Sequence, residues 1–158
     1  MAGDASDSES HSLRGPIDRG ALLDFRDTFE QLEPLATGEL DDFLSPNELR
    51  LELDDGVGTA ESARFDIVWT TRDDYTIHYT DDTGVNLRWD VHPNDYPQAP
   101  GDRHFHPPPN ATSYLGAVED SCIQVSEIVL VARAAHVLWR HSYEQGSFED
   151  VNGHTDPP

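Results

Sequence analysis

Apolar residues along this chain change period twice. From Pro16, the residues Ile17, Ala21, Leu22, Phe25, Phe29 and Leu32 recur three or four positions apart until Pro34, which predicts one amphipathic helix with a single core face. At this spacing Phe25 and Phe29 read as core residues. After a loop of Gly, Pro and Asp residues the period becomes two. Leu49, Leu51 and Leu53 alternate with Arg50 and Glu52, and Phe65, Ile67 and Trp69 alternate with Arg64, Asp66 and Val68. Tyr75, Ile77 and Tyr79 alternate with Thr76, His78 and Thr80, and Val85, Leu87, Trp89 and Val91 with Asn86, Arg88, Asp90 and His92. Strict alternation buries one face of a strand, so four strands are expected. The connectors Arg72-Asp73-Asp74 and Asp81-Asp82-Thr83-Gly84 are short and turn-rich, so consecutive strands should pair as antiparallel hairpins.

Pro93 to Asp102 holds three prolines and a glycine and reads as a surface loop, with Arg103 to His106 as a possible short fifth strand. A second helix, capped by Ser126 or a neighbour, runs to about Tyr143 with Ile128, Val131, Ala135 and Leu138 on one face. The expected fold is therefore α+β: a helix, a four-stranded antiparallel β-meander, and a C-terminal helix packed on one sheet face. Residues 16–143 form this single domain. Residues 1–15, rich in Ser, Asp and Glu, read as a disordered acidic leader, and residues 144–158 as a disordered tail.

Charge adds a constraint on environment. The chain carries 31 acidic and 10 basic residues for a net charge of -21, and every basic residue is arginine. Ordinary aromatic content and periodic apolar positions exclude a wholly disordered chain. Adaptation to high salt explains the surface best, because a Debye length of about 3 Å near 1 M suppresses self-repulsion. A halophilic, archaeal source is the expectation. At such salt, net negative charge does not exclude nucleic-acid binding, and local arginines become the informative feature. With one cysteine, Cys122, and no apolar run long enough for a signal peptide or membrane span, a cytoplasmic protein with no membrane association is expected.

The chemistry concentrates between Arg88 and Pro109, in RWDVHPNDYPQAPGDRHFHPPP. If Trp69, Tyr79 and Trp89 face the core, then His78, Arg88, Asp90 and His92 share the opposite face, and His104 with His106 join them if that piece is extended. Two chemistries suit such a face. Paired imidazoles with an arginine match metal-independent RNA cleavage, in which one histidine removes the 2′-hydroxyl proton and another protonates the leaving 5′-oxygen. Arg88 or Arg103 would bind the substrate and stabilise the phosphorane, and Asp90 would orient a histidine. Alternatively, Asp90, His92, His104 and His106 match the ligand preferences of Zn²⁺, in a noncatalytic metal-binding or protein-interaction module. A third reading is structural: a cross-strand salt bridge on a solvated face, with Phe105 anchoring the loop. His11 reads as inert, His136, His141 and His154 as surface residues, Trp139 as packing, and Cys122 as a small buried hydrophobe.

In order along the chain, Tyr75-x-x-His78-Tyr79, Arg88-Trp89-Asp90-x-His92-Pro93 and His104-Phe105-His106 resemble the TumE family of toxins from toxin–antitoxin pairs. RWD-x-HP and HFHPPP are also similar to a set of haloarchaeal proteins. The resemblance implies a compact α+β toxin that acts on RNA and is neutralised by a DNA-binding antitoxin, of the helix-turn-helix kind, encoded beside it. Carried over position by position, it implies functional roles for His78, Arg88, Asp90, His92, His104 and His106.

Overall fold

The computed structural model describes residues 12–153, apart from 98, 100 and 115. The expected leader up to His11 and the end of the expected tail, including His154, lie outside the described residues. Among those described, helix α1 (Arg19–Leu32) is followed by seven strands, β1 (Ala36–Leu40), β2 (Leu49–Leu53), β3 (Ala63–Trp69), β4 (Tyr75–Asp81), β5 (Asn86–Val91), β6 (Arg103–His106) and β7 (Glu119–Asp120), and then by helix α2 (Ile128–Gln145). The strands form one antiparallel sheet in sequence order.

The α+β class and the C-terminal helix match the sequence reading, with β2 to β5 as the four expected strands and β6 as the possible fifth. The strand count does not match. In β1, Ala36, Gly38 and Leu40 present too little apolar bulk to stand out from the surrounding loop, yet β1 pairs along its whole length with β2. Gly38 sits where an added Cβ would lie 2.6 Å from Arg26 Cγ and 2.7 Å from Leu51 Cδ2, so its lack of a side chain lets α1 approach the sheet. β7 is only two residues long, too short for any period to register.

Helix α1 begins later than Pro16 because the preceding residues belong to the sheet. Ile17 bridges Thr70, and the Asp18 amide donates to the Trp69 carbonyl at 2.8 Å. Asp18 then caps the helix by accepting from the Ala21 amide at 3.0 Å. At the other end of the chain, Glu127 caps α2, and Gly146 at φ 79° closes it in the left-handed conformation that favours glycine.

Both helices pack on the face presented by the alternating residues. Phe25 and Phe29 of α1, Leu138 and Trp139 of α2, and Phe65, Ile67, Trp69, Ile77, Tyr79, Trp89 and Phe105 of the sheet belong to one buried core. Phe29 meets Phe65 edge-on at 5.6 Å, and Phe65 meets Tyr79 at 5.5 Å, giving a line of aromatic contacts from helix to sheet. His136 was expected at the surface but is half-buried, its Nε2 3.3 Å from the buried Glu33 carboxylate and its ring 5.4 Å from Phe29. The first part of the expected tail also packs instead. Val151 is buried, Phe148 meets Tyr79 at 4.9 Å, and Asn152 accepts from Trp89 Nε1 and the Cys122 amide, at 3.2 and 2.9 Å. Two apolar residues and one side-chain amide hold this segment, too few to give a period.

Near the start of the described chain, Arg14 forks onto the buried Asp74 carboxylate, with Nε and Nη2 each at 2.9 Å, and Nη2 also reaches Asp102 at 2.9 Å. Burial opposes ionisation of Asp74, but the Arg14 hydrogen bonds and charge outweigh it and hold the carboxyl below its usual 3.8. A lowered folded-state pKa contributes stability above the unfolded value and loses it as pH falls through the folded one. The destabilisation caused by Arg14→Ala is therefore expected to be full at pH 7 and to shrink as pH falls below that range, as read from urea unfolding at both ends. Phe65→Ala, which empties the centre of the aromatic line, is expected to cost about 3 to 5 kcal/mol in the same measurement.

Candidate active site

On the sheet face away from the helices, register does what alternation foretold. His78 pairs with Arg88, Arg88 with His106, and Asp90 with His104. These side chains therefore stand side by side across β4, β5 and β6. His92 follows the end of β5, where its amide donates to the Asp102 carbonyl at 3.1 Å. One oxygen of Asp90, Oδ2, is the point of convergence. It lies 2.8 Å from Arg88 Nε and 3.4, 3.4 and 3.1 Å from the Nε2 atoms of His92, His104 and His106.

This centre is buried rather than solvated. Asp90 and His104 are wholly enclosed, and His92 and His106 nearly so. The cover comes from the segment read as a surface loop. Tyr96 packs its ring 5.5 Å from that of His104 and 5.7 Å from that of His106, and forms a second small apolar cluster with Ala99 and Val118. Asn94 pins the turn by donating to the Gly101 carbonyl at 2.8 Å and accepting from the Tyr96 amide at 3.0 Å. Tyr96 and Val118, apolar residues in polar stretches, were the available signal for this cover. No regular period accompanies them.

The outer nitrogens of the three enclosed imidazoles are fixed by the backbone. His92 Nδ1 donates to the Pro93 carbonyl at 2.9 Å, His104 Nδ1 to the Asp102 carbonyl at 3.0 Å, and His106 Nδ1 to the Thr112 carbonyl at 2.9 Å. A carbonyl only accepts, so each Nδ1 carries a proton. Each of the three rings thus has one nitrogen tied to the backbone and the other turned toward Asp90. Burial opposes ionisation of Asp90, but the hydrogen bond with His92 and the charge of Arg88 outweigh it and hold the carboxyl well below its usual range. For His92, burial favours the neutral ring, yet the hydrogen bonds to Asp90 and Pro93 prevail and raise its pKa.

Two expected members fall outside the centre. His78 shares the face but stands at its rim, half-buried, with Nε2 3.0 Å from Asn86 Oδ1. Arg103, expected to bind substrate, is a correction. Strand parity puts it on the helix side of β6, where its Nη2 donates to Ser126 Oγ. Arg88 is the cation that touches both the buried centre and solvent, with 30% of its side chain exposed. Cys122 is half-buried, and burial pushes its thiol up to about 11, so it is no nucleophile at neutral pH.

A family model, Toxin TumE, matches residues 25–142 of the 158. The chain belongs to the TumE toxin family. The match runs from the middle of α1 through most of α2 and takes in all six expected site residues, His78, Arg88, Asp90, His92, His104 and His106. No curated protein and no solved structure matches the chain. Among the described residues, no helix is long and apolar enough to cross a membrane.

The Asp90 carboxylate is the counter-charge of an enclosed group. Its removal leaves Arg88 and His92 without compensation, and Asp90→Ala is expected to lower the unfolding free energy by about 3 to 5 kcal/mol. His78→Ala, at the rim, is expected to cost under about 1 kcal/mol. Urea titration followed by tryptophan fluorescence separates the two.

Proposed function

We propose that this TumE-family chain is the toxin of a toxin–antitoxin pair and that it acts by cleaving RNA at the face built on β4, β5 and β6. The observation that carries the reading is the position of Arg88. Its guanidinium is held by Asp90 at 2.8 Å and touches His106 Nε2 at 3.1 Å, yet it reaches solvent. A preorganised guanidinium of this kind suits a phosphodiester, because it is planar, permanently charged and fixed before substrate arrives. Charge developing on the phosphorane would be stabilised there at little reorganisation cost. His78, across the strand from Arg88, flanks the same point.

Single-stranded RNA fits better than a duplex, since a phosphate must approach a guanidinium seated between strands. The acidic surface belongs to a cytoplasm of high ionic strength, as in halophilic archaea, where screening shortens the reach of the other carboxylates to a few ångströms. An antitoxin of the helix-turn-helix type, encoded beside the toxin, is the partner this reading requires.

Inducible expression of the wild-type chain is expected to arrest growth and to produce RNA fragments with discrete ends in primer extension. Arg88→Gln, folded by circular dichroism, is expected to lose both by about a hundredfold. Arrest with intact RNA would remove the RNA reading. Arrest and cleavage unchanged in Arg88→Gln would move the reaction away from this face.

A further inference from the structure

Metal-independent cleavage needs imidazoles with a nitrogen free to exchange a proton with substrate. His92, His104 and His106 do not offer one, since Nδ1 is spent on the backbone and Nε2 faces Asp90. The arrangement has a different logic. Arg88 Nη2, which can only donate, lies 3.1 Å from His106 Nε2, so that nitrogen presents its lone pair. The same nitrogen is 3.1 Å from Asp90 Oδ2, and the Arg88 guanidinium joins the two acceptors, so a second cation seated on them displaces the Nη2 contact.

At His104 the outer nitrogen is fixed in the same way. Its Nδ1 proton goes to the Asp102 carbonyl at 3.0 Å, while Asn94 Nδ2, 3.3 Å from that nitrogen, has the Gly101 and His92 carbonyls for its two hydrogens. Its Nε2 lies 3.4 Å from Asp90 Oδ2 without a hydrogen bond. Asp90 Oδ1 is likewise enclosed and without a hydrogen-bond partner. Two orphaned polar atoms at the centre of one buried cluster are costly. A fold that retains them has a use for them.

We propose that Asp90, His104 and His106 form a binding site for a divalent cation of the Zn²⁺ class. One ligand atom from each residue lies within 4.8 Å of the others. Ligand atoms about 2.0 to 2.2 Å from a tetrahedral ion are about 3.4 Å apart, and the Nε2-to-Oδ2 separations of 3.4 and 3.1 Å match that edge. Two imidazoles and one carboxylate are the donors a borderline ion prefers, and three protein ligands leave a fourth position for water. The Asp102 and Thr112 carbonyls serve as the outer partners that orient ligating imidazoles through Nδ1–H. His92 is the neighbour rather than the third imidazole ligand, since it hydrogen-bonds Asp90 and stands outside the mutually close set.

The assignment uses the same centre as the RNA reading but does not depend on it. If both hold, the phosphate meets Arg88 on the solvent side and the ion stays enclosed behind it.

The test is Co²⁺ titration of the chelator-treated full chain, followed by visible absorption and by competition with Zn²⁺. One equivalent of Co²⁺ with the intense absorption of a tetrahedral site, displaced by Zn²⁺, is expected. His104→Gln and His106→Gln should each weaken uptake at least tenfold, while the exposed His141→Ala leaves it unchanged. Because substitutions in an enclosed cluster can impair folding, the wild-type spectrum is a second criterion that needs no variant. Absence of a tetrahedral Co²⁺ spectrum in the folded wild type overturns the site, even if RNA is cleaved. Equal uptake by folded His104→Gln and His106→Gln chains also overturns it. Uptake without any RNA cleavage leaves the site standing and removes only the nuclease reading.

Discussion

Everything distinctive about this sheet follows from placing one ionised carboxylate, Asp90, in an enclosed position. An isolated carboxylate there would be untenable, because desolvation costs far more than a small domain can spare. Arg88 and His92 supply the compensation, and His104 and His106 complete the enclosure. Those partners must themselves be oriented, and three backbone carbonyls do that through the Nδ1 protons. The backbone of β5, β6 and the following turn is thus committed to one geometry by the needs of a single side chain.

The cover and the N-terminal anchor belong to the same scheme. Asp102 ends the proline-built segment, and its carbonyl receives both the His92 amide and the His104 ring. Its carboxylate is gripped by Arg14, which also binds Asp74. A residue far from the cluster in sequence therefore steadies the turn on which two of its histidines depend. On the other side of the sheet, the packing of α1 and α2 against the alternating apolar residues fixes strand parity, so that the polar face holds the site.

How much of this the sequence discloses depends on period. Strands β2 to β5 announce themselves through four clean alternations, and the same parity places His78, Arg88, Asp90, His104 and His106 together on one face. Arg103 falls on the other face by the same rule, since it neighbours His104 and must point the other way. Strand β1 escaped because Ala36, Thr37 and Gly38 carry little apolar bulk, and β7 because two residues have no period. Burial of the histidine face was not legible at all. Tyr96, Ala99 and Val118 come from irregular segments, and only the folded chain clusters them and brings Tyr96 against the rings of His104 and His106. Polar residues that alternate with a core read as solvated until such a cover is seen.

Family membership and geometry answer different questions. The match to the TumE model covers the body of the domain and names the chain a toxin-family protein. The chemistry rests on the inward-facing nitrogens. The most direct measurement is the ¹⁵N NMR tautomer state of His104 and His106 in the folded, metal-free protein near neutral pH. The account predicts protonated Nδ1 and unprotonated Nε2 in both rings. Nε2–H tautomers, or two imidazolium rings, would contradict it.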